Sequence, residues 1–222
     1  MPAIESRSLA KRALNYGWVA LAFVAGCAKI AGIDDPPAEP NASATSTLCS
    51  TYCDTVMAAC PDPAYVYASR EMCLGVCHDL EAAGKSGSPN DQSGDTIYCR
   101  MFYAQQAKST GETSTCPQAG PGGSGICGTN CEAYCILMQQ TCPQEFKSPD
   151  LFKDSLSLCI TECAKIPSID AGFNADQQSG NTINCRLYHV SAAAANPDAP
   201  AMHCPHAAAE PDMTPCVDPS KP

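Results

Sequence analysis

The chain is poor in positive charge, in aromatic residues and in long apolar runs, and each shortage closes off a class of function. Thirteen basic residues stand against 23 acidic ones. No basic patch can meet a phosphate backbone or an anionic lipid surface, so nucleic acid is excluded as a partner. Runs of like charge are missing too, and the acidity reads as a solvated surface. Aromatics are only 6% of the residues; much of the apolar content is alanine and cysteine, which bury little area. A segment of about 80 residues with this composition is marginal without cross-links. No run reaches the about 18 apolar residues of a membrane-spanning helix. No Ser-His-Asp spacing, phosphate-cradling glycine loop or paired-carboxylate signature stands out, so no enzymatic activity is expected.

What the chain has is cysteine. Sixteen of its 17 cysteines fall into two matching sets of eight. The first is Cys49, Cys53, Cys60, Cys73, Cys77, Cys99, Cys116 and Cys127; the second is Cys131, Cys135, Cys142, Cys159, Cys163, Cys185, Cys204 and Cys216. Successive members are separated by 3, 6, 12, 3, 21, 16 and 10 residues in the first set and by 3, 6, 16, 3, 21, 18 and 11 in the second. The differences are of the size that loop insertions produce. The pattern is a tandem duplication of one disulfide-stapled unit in an oxidising compartment. Other residues recur at matching places: Tyr52 and Tyr134, Pro61 and Pro143, Ser93-Gly94 and Ser179-Gly180, Thr96-Ile97 and Thr182-Ile183, Arg100 and Arg186.

The seventeenth cysteine, Cys27, follows a basic start (Arg7, Lys11, Arg12) and an uncharged apolar stretch from Ala13 to Ala25. That stretch has the length of an export signal and is too short to span a bilayer. The run Val24-Ala25-Gly26-Cys27 resembles the lipobox of bacterial lipoproteins, which implies that Cys27 receives lipid and becomes the first mature residue. Ordinary cleavage, for instance after Ala22, is the alternative. Cysteine parity favours lipidation, because it leaves an even number to pair. The mature chain would then keep 10 basic and 22 acidic residues, a net charge of −12.

The organisation follows: a lipoprotein signal peptide over 1–26, a lipidated cysteine and flexible tether over 27–47, repeat one over 48–128 and repeat two over 129–217. Each repeat reads as about three helices, giving a mainly α fold of two tandem small disulfide-rich helical domains. In repeat one the helices cover about 47–60, 70–82 (Ser69 as cap) and 95–108 (Asp95 as cap). In repeat two, Ser148 with Pro149 marks the start of the second helix and Asn181 caps the third.

Cys-x-x-x-Cys places two thiols one turn apart on a helical face, so two antiparallel helices can share two stacked bridges. The midpoints select Cys49–Cys77 and Cys53–Cys73, then Cys131–Cys163 and Cys135–Cys159. The spacing resembles the stapled helical hairpins of some small plant and venom peptides. Cys60 then lies at the turn end and Cys99 at the opposite end, about 20 Å away along a 13-residue helix, beyond the reach of a disulfide. Cys60–Cys116, Cys99–Cys127, Cys142–Cys204 and Cys185–Cys216 are favoured, among 105 pairings open to eight cysteines.

Three patterns carry chemistry. Cys73-Leu-Gly-Val-Cys77-His78 resembles a stretched haem-attachment motif, and Cys77-His78-Asp79 resembles the helical His-Asp of secreted phospholipases. Repeat two lacks both. The third is His189 with His203-Cys204-Pro205-His206. If Cys204 folds back to Cys142, the three imidazoles can converge and would suit zinc or copper. Repeat one carries Tyr103, Thr115 and Gln118 there. Otherwise surface or packing roles are expected for these histidines, and no other cofactor. Arg100 and Arg186 are expected to pair with a carboxylate or cap a chain end, and Tyr52 and Tyr134 to lie in the core.

The lipobox, the Cys-x-x-x-Cys pairs, Asn181-Thr-Ile-Asn-Cys-Arg-Leu-Tyr-His189 and His203-Cys-Pro-His206 together resemble the cysteine-rich lipoproteins of the myxobacterial kind. That resemblance implies attachment to the cell envelope through the lipid anchor, at the outer membrane of a Gram-negative bacterium, with no activity attached. The expected function is a non-enzymatic interaction or structural module, with transition-metal binding by repeat two as the alternative and a small hydrolase or haem carrier more distant.

Overall fold

The computed structural model describes residues 46–148, 152–168, 172–196, 198–209 and 215–217. Cys27, the expected signal segment and nearly all of the expected tether lie outside them. Among the described residues every regular element is a helix, and none is long and apolar enough to cross a membrane.

Repeat one begins where Ser46 accepts a hydrogen bond from the Cys49 backbone amide and starts α1 (Thr47–Ala59). Ser69 caps α2 (Arg70–Ala82) in the same way. Both helices follow the sequence reading, because an apolar stripe at helical spacing meets a hydroxyl cap. The third helix, α3 (Ile97–Thr110), differs by one position: Thr96, not Asp95, accepts from the Cys99 amide. Asp95 is drawn away by two cations, Arg100 Nη2 at 2.8 Å and Lys85 Nζ at 3.1 Å. A short α4 (Cys116–Ala119) carries the seventh cysteine back to the end of α1.

Repeat two repeats the plan. A capping box between Thr129 and Glu132 opens α5 (Asn130–Thr141), followed by a single turn, α6 (Pro143–Phe146). The next helix, α7 (Leu156–Cys163), starts at Ser155 rather than at Ser148. Lys153 and Asp154 adopt positive φ of 50° and 57°, which no right-handed helix can contain. Pro149 falls outside the described residues. Helix α8 (Ile183–Ala193) is capped by Thr182 and not by Asn181, again one place later than expected. Last comes α9 (Pro200–Ala207), with proline at its first turn.

Eight disulfides hold these helices: Cys49–Cys77, Cys53–Cys73, Cys60–Cys116, Cys99–Cys127, Cys131–Cys163, Cys135–Cys159, Cys142–Cys204 and Cys185–Cys216. They are the pairs that helix spacing selects, and none joins the two repeats. Each contributes roughly 2–4 kcal/mol in the chain-entropy model.

Though none of these disulfides joins them, the repeats form one compact unit over Ser43–Pro222, with a hydrophobic core that draws on both. Helix α2 lies against α5 and α8. The approach is close enough that a Cβ on Gly75 would sit 1.9 Å from the Ala194 carbonyl oxygen. Thr141 of α5 donates to the Asp79 carboxylate of α2. A second bridge joins residues 63–65 to 174–176: the Ala175 amide donates to the Tyr65 carbonyl at 3.1 Å, Asn174 Nδ2 to the Pro63 carbonyl at 2.6 Å, and the Tyr65 hydroxyl to Asp176 Oδ1.

The duplication extends to buried polar contacts. Tyr52 donates to the Ala119 carbonyl, and Tyr134 to that of Ala207 at 2.7 Å. Both rings are fully buried. Arg100 and Arg186 each lace the chain following their helix, donating to the Gly120 and Pro121 carbonyls in one repeat and to those of Ala208 and Ala209 in the other.

Candidate metal centre

At the seam between α8 and α9, repeat two gathers three imidazoles that repeat one lacks. Thr182 sets the start of α8, and seven residues on, two turns later, His189 faces inward, nearly buried. The Cys142–Cys204 bridge ties α9 to the end of α5. His203 and His206 flank that bridge three positions apart, hence on one face of α9. The fold thus brings the three histidines together, each offering a nitrogen within 4.8 Å of the others. Their ring centroids are 5.0, 5.3 and 6.4 Å apart.

The closest approach is between His189 Nδ1 and His203 Nδ1, at 3.0 Å. The other nitrogen of His189, Nε2, lies 3.2 Å from the main-chain carbonyl of Gln178. A carbonyl only accepts, so Nε2 carries the proton and Nδ1 presents its lone pair. The proton between the two Nδ1 atoms then belongs to His203. A cation arriving there would replace that proton. His206 Nδ1 is buried without a hydrogen-bond partner, which is unusual for a buried polar atom.

Electrostatics favour neutral, ligating imidazoles. Burial pushes the His189 imidazolium down to about 4, with further lowering from His203 and His206. His203 is lowered by burial and by His206. Two other groupings bring sulfur near such ligands, Cys185 and Cys216 beside His189, and Cys142 and Cys204 beside Glu145. Their sulfurs are tied in disulfides and offer no thiolate.

Repeat one shows the same seam without imidazoles. Tyr103 stands for His189 and donates its hydroxyl to the Gln92 carbonyl at 3.3 Å, as His189 does to Gln178. Thr115 stands for His203 and donates to the Tyr103 carbonyl. Gln118 stands for His206, its Oε1 buried without a partner. The seam recurs in both repeats with different side chains, and α9 is a longer helix than α4.

The other two patterns do not assemble. Cys73 and Cys77 are consumed by bridges to Cys53 and Cys49, which removes the thiols a haem would need. Asp79 accepts from Thr141, and as neighbours on α2, His78 and Asp79 do not face each other. Sequence reasoning missed Gln178, whose contribution is a backbone carbonyl; its identity with Gln92 was the available signal. No family model, curated protein or solved structure matches the chain.

Proposed function

We propose that the chain is a lipid-anchored cell-envelope protein whose second repeat binds a transition-metal ion, zinc or copper, through His189, His203 and His206. The observation that carries the metal reading is the 3.0 Å approach of His189 Nδ1 to His203 Nδ1 with His206 in the same cluster. Zinc–nitrogen bonds of about 2.0–2.1 Å put ligand nitrogens about 3.3 Å apart in a tetrahedron. The seam already holds one pair near that value. Rotation of the imidazoles closes the rest, since their terminal torsions are broad. The Gln178 carbonyl is the outer partner that metal-binding imidazoles usually have. Three imidazoles leave a coordination position for water or an exchangeable ligand.

The wider reading, a rigid non-enzymatic module at the envelope, rests on different observations. Sixteen cysteines are paired inside the two repeats, which leaves Cys27 as the odd one, directly after an apolar signal-like stretch. A strongly acidic, cross-linked body needs a separate device to stay at a membrane, and lipid on Cys27 supplies it.

The metal reading is tested by metal analysis and calorimetric titration of the full, oxidised mature protein with zinc and with copper. A stoichiometric site is expected, weakening in acid as protons compete for imidazole, and at lower pH than in an exposed histidine cluster because burial holds His189 down to about 4. A His203→Ala, His206→Ala double variant should lose it. Equal, weak heats from both proteins would return the histidines to ordinary packing and leave the structural module alone.

A further inference from the structure

Resting on the metal reading, we infer that repeat one positions the metal-binding imidazole of repeat two. The path is short and continuous. The Gln178 carbonyl, which holds the Nε2 proton of His189, ends a loop over 172–178. Inside that loop, Gln177 Oε1 accepts from the Asn174 amide at 3.0 Å and from Asn184 of α8 at 2.8 Å. Asn174 Oδ1 accepts from the Asp176 amide at 2.7 Å, and Gln178 Nε2 donates to the Ala175 carbonyl at 3.0 Å. These bonds make the loop a single stiff piece.

What fixes the piece in place comes from the other repeat. Asn174 Nδ2 donates to the Pro63 carbonyl, the Ala175 amide to the Tyr65 carbonyl, and the Tyr65 hydroxyl to Asp176. Among the described residues, no hydrogen bond ties the corresponding loop of repeat one to repeat two. That loop is braced from within by Asp91, whose Oδ2 accepts from the Ser88 amide and from Thr96. Gln177 stands where Asp91 does and keeps the bond to the amide three residues back, with Asn184 in place of Thr96 as its second partner; what repeat two adds is the support from residues 63–65. Repeat one thereby sets which nitrogen of His189 faces the other two imidazoles. An imidazole whose Nε2 proton has no fixed acceptor can turn over or change tautomer, and the Nδ1 lone pair is then no longer presented.

The test uses the full, oxidised chain. A Tyr65→Phe, Asn174→Asp double variant cuts both side-chain links across the repeat boundary and keeps the acceptor at position 174 that braces the loop. A Thr141→Val variant cuts the separate link to Asp79 and serves as control for general loosening. Two quantities are read: the His189 tautomer in metal-free protein, by nitrogen-15 imidazole NMR, and zinc affinity by competition with a chromophoric chelator. Wild type and Thr141→Val should show the Nε2–H form alone. The double variant should show a mixture with Nδ1–H and about tenfold weaker zinc binding, the low end of outer-partner effects. An unchanged tautomer in the double variant, or the same change in Thr141→Val, would overturn the inference. A wild-type protein that binds no zinc sinks the metal reading instead, and the tautomer result still decides the positioning.

Discussion

Arg100 and Arg186 occupy the same place in the two repeats, but among the described residues only Arg100 has a counter-charge. Its Nη2 lies 2.8 Å from Asp95 Oδ1, whereas Arg186 Nη2 donates to the neutral Asn181 Oδ1 at 2.9 Å. Burial lowers the pKa of Arg186, the mark of an uncompensated cation. Asn181→Asp should therefore stabilise the protein by about 1 kcal/mol, the difference between a neutral and a charge-assisted hydrogen bond. Asp95→Asn should destabilise it by a similar amount, and Arg100→Ala by about 3 kcal/mol or more. Denaturant unfolding with the disulfides intact gives the comparison; opposite signs for the two swaps are the required result.

Gly75→Ala should cost about 1–3 kcal/mol by overpacking the boundary between repeats. The intruding Cβ meets a backbone carbonyl of Ala194, which cannot swing aside as a side chain would. Thermal unfolding that is unaffected by this change would show that the repeats do not bear on each other there.

Asp79 makes stability pH-dependent in an unusual direction. Burial raises its carboxyl from 3.8 to about 6, against a smaller lowering from Thr141. Between those values the folded chain holds a proton that the unfolded chain has released. The stability Asp79 contributes is thus present below about pH 4 and lost as pH rises through about 6. Asp79→Asn keeps the acceptor for Thr141 and removes the ionisation. It should raise stability at pH 7 on the order of 1–2 kcal/mol and have little effect at pH 4. Equal effects at both pH values would refute the assignment.

Cys27→Ala should release the protein from membranes or stall its processing, because stable attachment takes more than one acyl chain. Fractionation of cells expressing each form reads this directly. A correctly processed Cys27→Ala protein that stays with the membrane would contradict the anchor.

Much of this fold was legible because disulfide geometry is restrictive. A gap of three residues fixes two cysteines on one helical face, and the rigid length of α1 separates Cys60 from Cys99, leaving few partners for either. Convergence of His189, His203 and His206 followed from the same logic, since Cys204 carries both α9 histidines to the end of α5. Caps were less secure. Asp95 and Thr96 are both good capping residues, and Asp95 is instead engaged by two cations, Lys85 and Arg100, which the capping pattern alone does not reveal. The shared core was hidden for a related reason. Periodicity reports which face of a helix is buried but not against what, and the partners of α2 lie far along the chain. Gln178 was hard to single out because a carbonyl is common to every residue, and its identity with Gln92 was the one signal.

The contact between repeats is head-to-tail: the second helix of one meets the first and third helices of the other. Such an interface is open-ended in principle, since the same docking could recur on the next unit and build a filament. Repeat two is shaped against it. Where α2 offers Gly75, α7 offers Thr161, exposed and branched, followed by Glu162 in an ion pair with Lys165. A further unit approaching as repeat two approaches repeat one would meet a side chain and a charge where bare backbone is needed. The two repeats therefore present different faces along this axis, and the second disfavours a repeat of the same docking.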